Sequence, residues 1–373
     1  MDTKENITQA QFTEDNAKQL QPIMENFMVG CDGGEENWLS NKLAQSLPEE
    51  SEDNRKQIIH EIEAGVSKFD SSLVSLQEAI DAGDTKEEWL EENLRQSLNE
   101  LSEKEYGTTL FATNKALHAI NETTMATIDG SPVSATLEES PTEEYDWSEE
   151  ETRALTKHLG QEIKIGALAG QVVNAGFAMA EKTPLGGKIT ELKNVAEALR
   201  SGDDGEIKKA ASAALVVGVQ KGIVPLPKST PVGTITALAS GGIESAKVML
   251  QYADGEISGQ EVLERTEQIV TVQVSNGLGL AGEKLGRSIG AKIGLAVGSF
   301  VPFLAPVAVT VGGFVGGMVG KIAGSKIGQA ICKAARKVVE VAKPVVKKVW
   351  DTVKNVGRTI MSGVKSFVSW LFG

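Results

Sequence analysis

The chain is poor in the side chains that usually carry chemistry. Its 373 residues include two cysteines, Cys31 and Cys332, too far apart in the chain to suggest a disulfide framework. A reduced compartment of synthesis is the matching expectation. Three histidines, His60, His118 and His158, stand far apart in sequence, and none falls in a metal or nucleophile motif. Aromatic residues make up 5%, so any core must be built mostly from small side chains. The first twenty residues are polar and acidic, with no basic n-region and no apolar h-region. Synthesis in the cytoplasm is expected, followed by membrane association or export through a non-classical route. No segment alternates like a strand between hairpin turns, which predicts an all-α fold. Gly186-Gly187-Lys188-Ile189-Thr190 lacks the upstream strand and the earlier glycine of a phosphate loop, and Asp254-Gly255-Glu256 is too short for a calcium loop. With no grouping of acid, base and nucleophile, the expectation is a non-enzyme that needs no cofactor.

Charge is present but divided. The net charge of −14 argues against nucleic acid as a partner of the whole molecule. Residues 1–160 carry 35 acids and 12 bases, net −23, whereas residues 161–373 carry 16 acids and 25 bases, net +9. An acidic front and a basic back predict two tasks, with mutual shielding before use.

Composition divides the chain further. Residues 1–30 read as a mobile lead-in. Residues 31–122 read as an acidic helical domain with an internal echo at a spacing of 51. Trp38-Leu39, Leu43 and Ser46-Leu47 return as Trp89-Leu90, Leu94 and Ser97-Leu98. Two copies are too few for a solenoid and predict a duplicated helical hairpin. Trp38 and Trp89 are packing anchors on one reading and partner-binding residues on another. Thr85 with Glu88 predicts a capping box, and Ile58–Ala82 and Leu110–Ile120 have helical spacing. Residues 123–148, rich in Thr, Ser, Pro and acid, read as a linker, and Ser148 with Glu151 caps the next helix. Residues 149–276 then form a Gly/Ala-rich bundle, with helices over Ile163–Ala180, Ile207–Gly222 and Pro231–Tyr252. The last two make an apolar hairpin. Asp254-Gly255 turns the chain, and Ser258 with Glu261 caps a further helix.

Residues 277–330 hold the strongest pattern. Gly282, Gly286, Gly290, Gly294 and Gly298 fall four apart, and after a break Gly312, Gly316, Gly320, Gly324 and Gly328 do the same. Each glycine costs a helix about 1 kcal/mol relative to alanine, so ten in register require a reason. A spacing of four lines them along one face, where bare backbones can approach closely. Pro302, Phe303 and Pro306 lie between the runs and predict the tip of an antiparallel hairpin. Residues 293–320 contain no charge, long enough for one span of about 20 residues, while Glu283, Lys284, Arg287 and Lys292 burden a full first arm. The alternative is a small-residue helix pair packed inside a soluble bundle.

Residues 331–373 carry nine bases and two acids. Val349, Val353, Val356, Ile360, Val364, Phe367 and Leu371 form one apolar stripe, and Lys347, Lys348, Lys354, Arg358 and Lys365 lie mostly elsewhere. With Trp350 and Trp370 this describes a basic amphipathic helix for an anionic membrane surface, or one docked on the bundle.

Residues 282–328 resemble the glycine-zipper segments of small bacterial membrane proteins. The helical hairpins after 160 are similar in plan to the pore-forming domains of colicin-like toxins. These resemblances imply a pore-forming or membrane-permeabilising effector that acts on a lipid bilayer and forms a homo-oligomer on insertion. The acidic half would meet an export or injection apparatus, or an inhibitory partner. The competing expectation is a non-enzymatic structural or interaction protein, such as the cargo of that apparatus or a membrane-anchored scaffold.

Overall fold

The computed structural model describes residues 37–129, 145–181, 204–223, 228 and 231–283. This part is 83% helical with no strand, which establishes the all-α class. The eight helices among the described residues are α1 (Trp38–Ser46), α2 (Glu52–Ala82), α3 (Lys86–Ser97), α4 (Glu103–Asp129), α5 (Glu149–Glu181), α6 (Gly205–Gln220), α7 (Val232–Ala253) and α8 (Gly259–Glu283).

Helix starts follow the chain's own polar signals. The Thr85 hydroxyl accepts from the Glu88 amide at 3.2 Å, while the Glu88 carboxylate accepts from the Thr85 amide at 2.9 Å. Ser148 with Glu151 and Ser258 with Glu261 close the same reciprocal box. So does Ser102 with Glu105, where α4 begins. Before α5, the Tyr145 hydroxyl, then the Ser148 hydroxyl and amide, hold the Glu151 carboxyl down to about 2. At the other ends Gly83, Gly222 and Gly255 have φ of 101°, 71° and 78°, which permits the left-handed residue that closes α2, α6 and α7.

The echo in the sequence is an echo in structure. Leu39, Leu43 and Leu47 and their counterparts Leu90, Leu94 and Leu98 are all buried. α1 and α3 end in the same way, with the Leu47 amide bonded to the Leu43 carbonyl and the Leu98 amide to the Leu94 carbonyl. A short turn follows in each copy, and Ser51 or Ser102 then caps a long helix. The repeated unit is therefore helix–turn–helix, α1–α2 and α3–α4.

Helices before residue 130 and after residue 148 share one core. α2 packs on α7, and α8 packs on α2, α3, α5 and α7. Lys86 reaches Glu267 at 2.9 Å across α3–α8, and Lys164 reaches Glu87 at 2.8 Å across α5–α3. α4 continues into the segment read as a linker, because extending a long helix costs far less than starting one.

α4 and α5 run parallel in fixed register. Asn114 Nδ2 donates to the Leu155 carbonyl at 2.9 Å, and one heptad later Asn121 Nδ2 donates to the Glu162 carbonyl at 2.6 Å. Ahead of α5, Trp147 lies against Gly107 so closely that a Cβ there would overlap its ring. Thr109, Thr113, Thr152 and Thr156 are buried near this interface. Such a polar seam gives up apolar burial for a single register. Asn121→Ala is expected to cost about 1–2 kcal/mol, read as a lower urea midpoint, since it removes the clamp without filling the space.

Candidate functional site

The α6–α7 hairpin packs inside the described helices. Its first leg has the sequence Ala-Ala-Ser-Ala-Ala-Leu-Val-Val-Gly-Val over 210–219, and every one of these residues is buried. A helix with no polar face can exist in water only when covered on all sides. α1, α2 and α7 provide neighbors for it, and α7 is covered in turn by α2, α5 and α8. α6 has 16 residues, a length of about 24 Å. Among the described residues no helix is long and apolar enough to cross a membrane.

α7 approaches α8 through small residues. A Cβ on Gly241 would overlap the side chain of Gln273, whose Nε2 donates to the Ala237 carbonyl at 3.4 Å. α2 meets α7 through Gly65, where a Cβ would come within 2.8 Å of Thr236 Cγ2. These close approaches set a glycine against a neighboring side chain; the glycine-to-glycine contact expected along residues 282–328 lies, beyond Glu283, outside the described residues.

The open end of the hairpin carries a buried ionic network. Lys208, on α6 and only 2% exposed, places Nζ 2.6 Å from Asp70 Oδ1, 3.0 Å from Asp204 Oδ2 and 2.6 Å from Glu244 Oε1. All three ammonium protons therefore have acceptors. Lys247 on α7 touches the same two hairpin carboxylates, at 2.6 Å from Asp204 and 3.1 Å from Glu244. Burial opposes the charge on Lys208, but Glu244 and Asp70 outweigh it and hold the ammonium above the usual lysine range. Burial likewise opposes the charge on Asp204, and the ammonium groups of Lys247 and Lys208 hold its carboxyl well below the usual carboxylate range. Sequence reasoning missed this network. Its one local signal was the group Glu206, Lys208 and Lys209 in the first turns of a helix that is mostly apolar thereafter.

Other residues singled out from sequence fall as follows. Trp89 is 5% exposed and its Nε1 donates to Ser75 Oγ at 3.1 Å, so it anchors packing and presents no ring to a partner. Trp38 is half-buried, with Nε1 donating to Glu206 Oε2 at 2.8 Å, and it ties α1 to α6. Gly282 lies in the last turn of α8. The remaining glycines of both runs, Pro302, Phe303, Pro306 and the basic tail from Lys347 to Trp370 lie outside the described residues, as do both cysteines.

Two of the three histidines come together in the fold. His118 and His158 are distant in sequence, yet their Nδ1 atoms lie 2.9 Å and 4.0 Å from the same Glu162 oxygen. The parallel register of α4 and α5 brings them together. Asn121 Nδ2 supports that carboxylate at 3.1 Å. Among the described residues no group of three or more His, Cys, Asp or Glu side chains could hold a metal ion. The cluster is an exposed pair of imidazoles on a buried acid, a link between two helices. No protein-family model, no curated protein and no solved structure matches this chain.

Proposed function

We propose that this chain is a membrane-inserting effector that permeabilises anionic bilayers through its glycine-rich hairpin, residues 277–330, and its basic tail, residues 331–373. The observation that carries the reading is the uncharged stretch 293–320 set between two runs of five glycines at a spacing of four. Because none of the described helices is long and apolar enough to cross a membrane, insertion is assigned to that hairpin and not to α6 or α7. The described bundle supports the reading in one respect. α8 carries the first glycine of the series, Gly282, within its final turn, so the series continues directly from a helix of the core. Nine bases in the tail supply attraction to anionic headgroups, and its apolar stripe supplies burial at the interface.

Release of a trapped dye from liposomes of mixed neutral and anionic lipid tests this. The full chain is expected to release dye, and more from anionic vesicles than from neutral ones. Gly316→Leu places a large side chain on the bare ridge, so leakage is expected to fall at least tenfold while the helical circular dichroism is retained. If the intact chain releases no dye at any pH or lipid composition, the proposal fails.

A further inference from the structure

The duplicated unit permits a comparison within one chain. α1 and α3 occupy the same place in the two copies, and each buries three leucines, Leu39, Leu43 and Leu47 in α1 and its turn, Leu90, Leu94 and Leu98 in α3 and its turn. Their leucine anchors are matched, so the hold on each helix is decided by its ends and its polar tethers.

α1 has nine residues and α3 has twelve. Helices this short are marginal in water and depend on what surrounds them. At the start of α1 the Asn37 side chain makes no capping bond, whereas Thr85 and Glu88 close a full box on α3. Trp38 is half-buried, and its acceptor, the Glu206 carboxylate, is 39% exposed. Trp89 is buried. α3 is tied to three further helices by ion pairs: Lys86 to Glu267 on α8, Glu87 to Lys164 on α5 and Arg95 to Glu103 on α4. α1 rests on α2 and α6, and α3 on α2, α5 and α8. The far end of α1 is held more firmly than its start. Arg55 on α2 donates to the Leu47 carbonyl at 3.2 Å and also to the Glu50 carbonyl, which pins the turn after α1 to α2.

We propose that α1 is a strap on the apolar leg α6, released by pivoting on the Arg55-bound turn while the rest of the bundle stays folded. Release breaks the Trp38–Glu206 bond and uncovers the side of α6 that α1 occupies, leaving α2 and α7 as its neighbors. This motion is independent of lipid insertion by residues 277–330.

Native-state hydrogen exchange of the full chain, followed by mass spectrometry, measures such an opening. After correction for intrinsic rates, α1 is expected to exchange about tenfold faster than α3, through an opening that α3 does not share. Trp38→Phe keeps an aromatic ring and removes the bond to Glu206, so exchange in α1 is expected to rise about threefold further with α3 unchanged. Asn41→Ala, at an exposed position of α1, improves helix propensity without altering the core, and is expected to slow α1 about threefold, again with α3 unchanged. The Asn41→Ala measurement stands even if Trp38→Phe fails to fold. The idea is overturned if α1 and α3 are equally protected in the native chain, if a variant shifts α3 along with α1, or if neither variant changes α1.

Discussion

Lys208→Met is expected to destabilise the bundle by about 3–5 kcal/mol, the usual cost of removing one partner from a buried charge group. Three carboxylates from Asp70, Asp204 and Glu244 converge on the lysine. Without it, Asp204 and Glu244 keep only Lys247. Equilibrium urea unfolding of the full chain gives the loss. Adding Glu244→Met to Lys208→Met is expected to recover part of it, because one stranded charge is then gone. If the double variant is no more stable than the single one, the cost lies in packing and not in charge.

The same network sets a pH profile. Asp204 has its folded value below its unfolded one, so its contribution is present above about pH 4 and is lost as pH falls through the folded value. Lys208 has its folded value above its unfolded one, so its contribution is present below about pH 10 and is lost as pH rises through the folded value. Between about pH 5 and 9 neither Asp204 nor Lys208 should contribute a slope to the stability curve. A stability loss between pH 6 and 5 in the wild type that is absent from Lys208→Met would contradict this account.

Gly241→Val is expected to destabilise by about 3 kcal/mol, the upper end for inserting atoms into a filled core. The sign is informative, because glycine inside a helix is itself unfavorable by about 1 kcal/mol and a neutral site would gain from its replacement. A Cβ at 241 would take the space of the Gln273 side chain, which is buried and bonded to the Ala237 carbonyl. Gln273→Ala empties that space. In the Gly241→Val/Gln273→Ala pair the two losses should therefore be far from additive, with a coupling of about 1–3 kcal/mol. Additive losses would mean that α7 and α8 do not meet at these residues.

The helices were legible where their signals are local. Thr85, Ser148 and Ser258 each announce a start through an acid three residues on, and each makes that bond. Ser102 uses the same device before Glu105, at the same spacing, and sequence reasoning passed over it. Helix ends at Gly83 and Gly255 needed only the preference of glycine for positive φ. What resisted reading was everything set by contact between distant helices. Asp70, Asp204, Lys208, Glu244 and Lys247 carry no common spacing, and His118 meets His158 only because α4 and α5 run in the same direction. The close approach at Gly241 was likewise hidden among many glycines, since the sequence does not say which bare position faces a long side chain. Of the residues chosen for membrane insertion, only Gly282 falls among those described.

The duplicated unit has a consequence for how the molecule holds its layers together. Sliding the chain along itself by 51 positions sets Ser51 on Ser102, Val66 on Leu117 and Asp70 on Asn121. Asp70 grips an ammonium on α6, and Asn121 grips a backbone carbonyl on α5. One equivalent position on the second helix of each copy thus serves as a polar handle on a neighbor, an ion pair in the first copy and an amide on a carbonyl and a carboxylate in the second. The same position in each unit therefore joins its long helix to a different neighbor, α2 to α6 and α4 to α5.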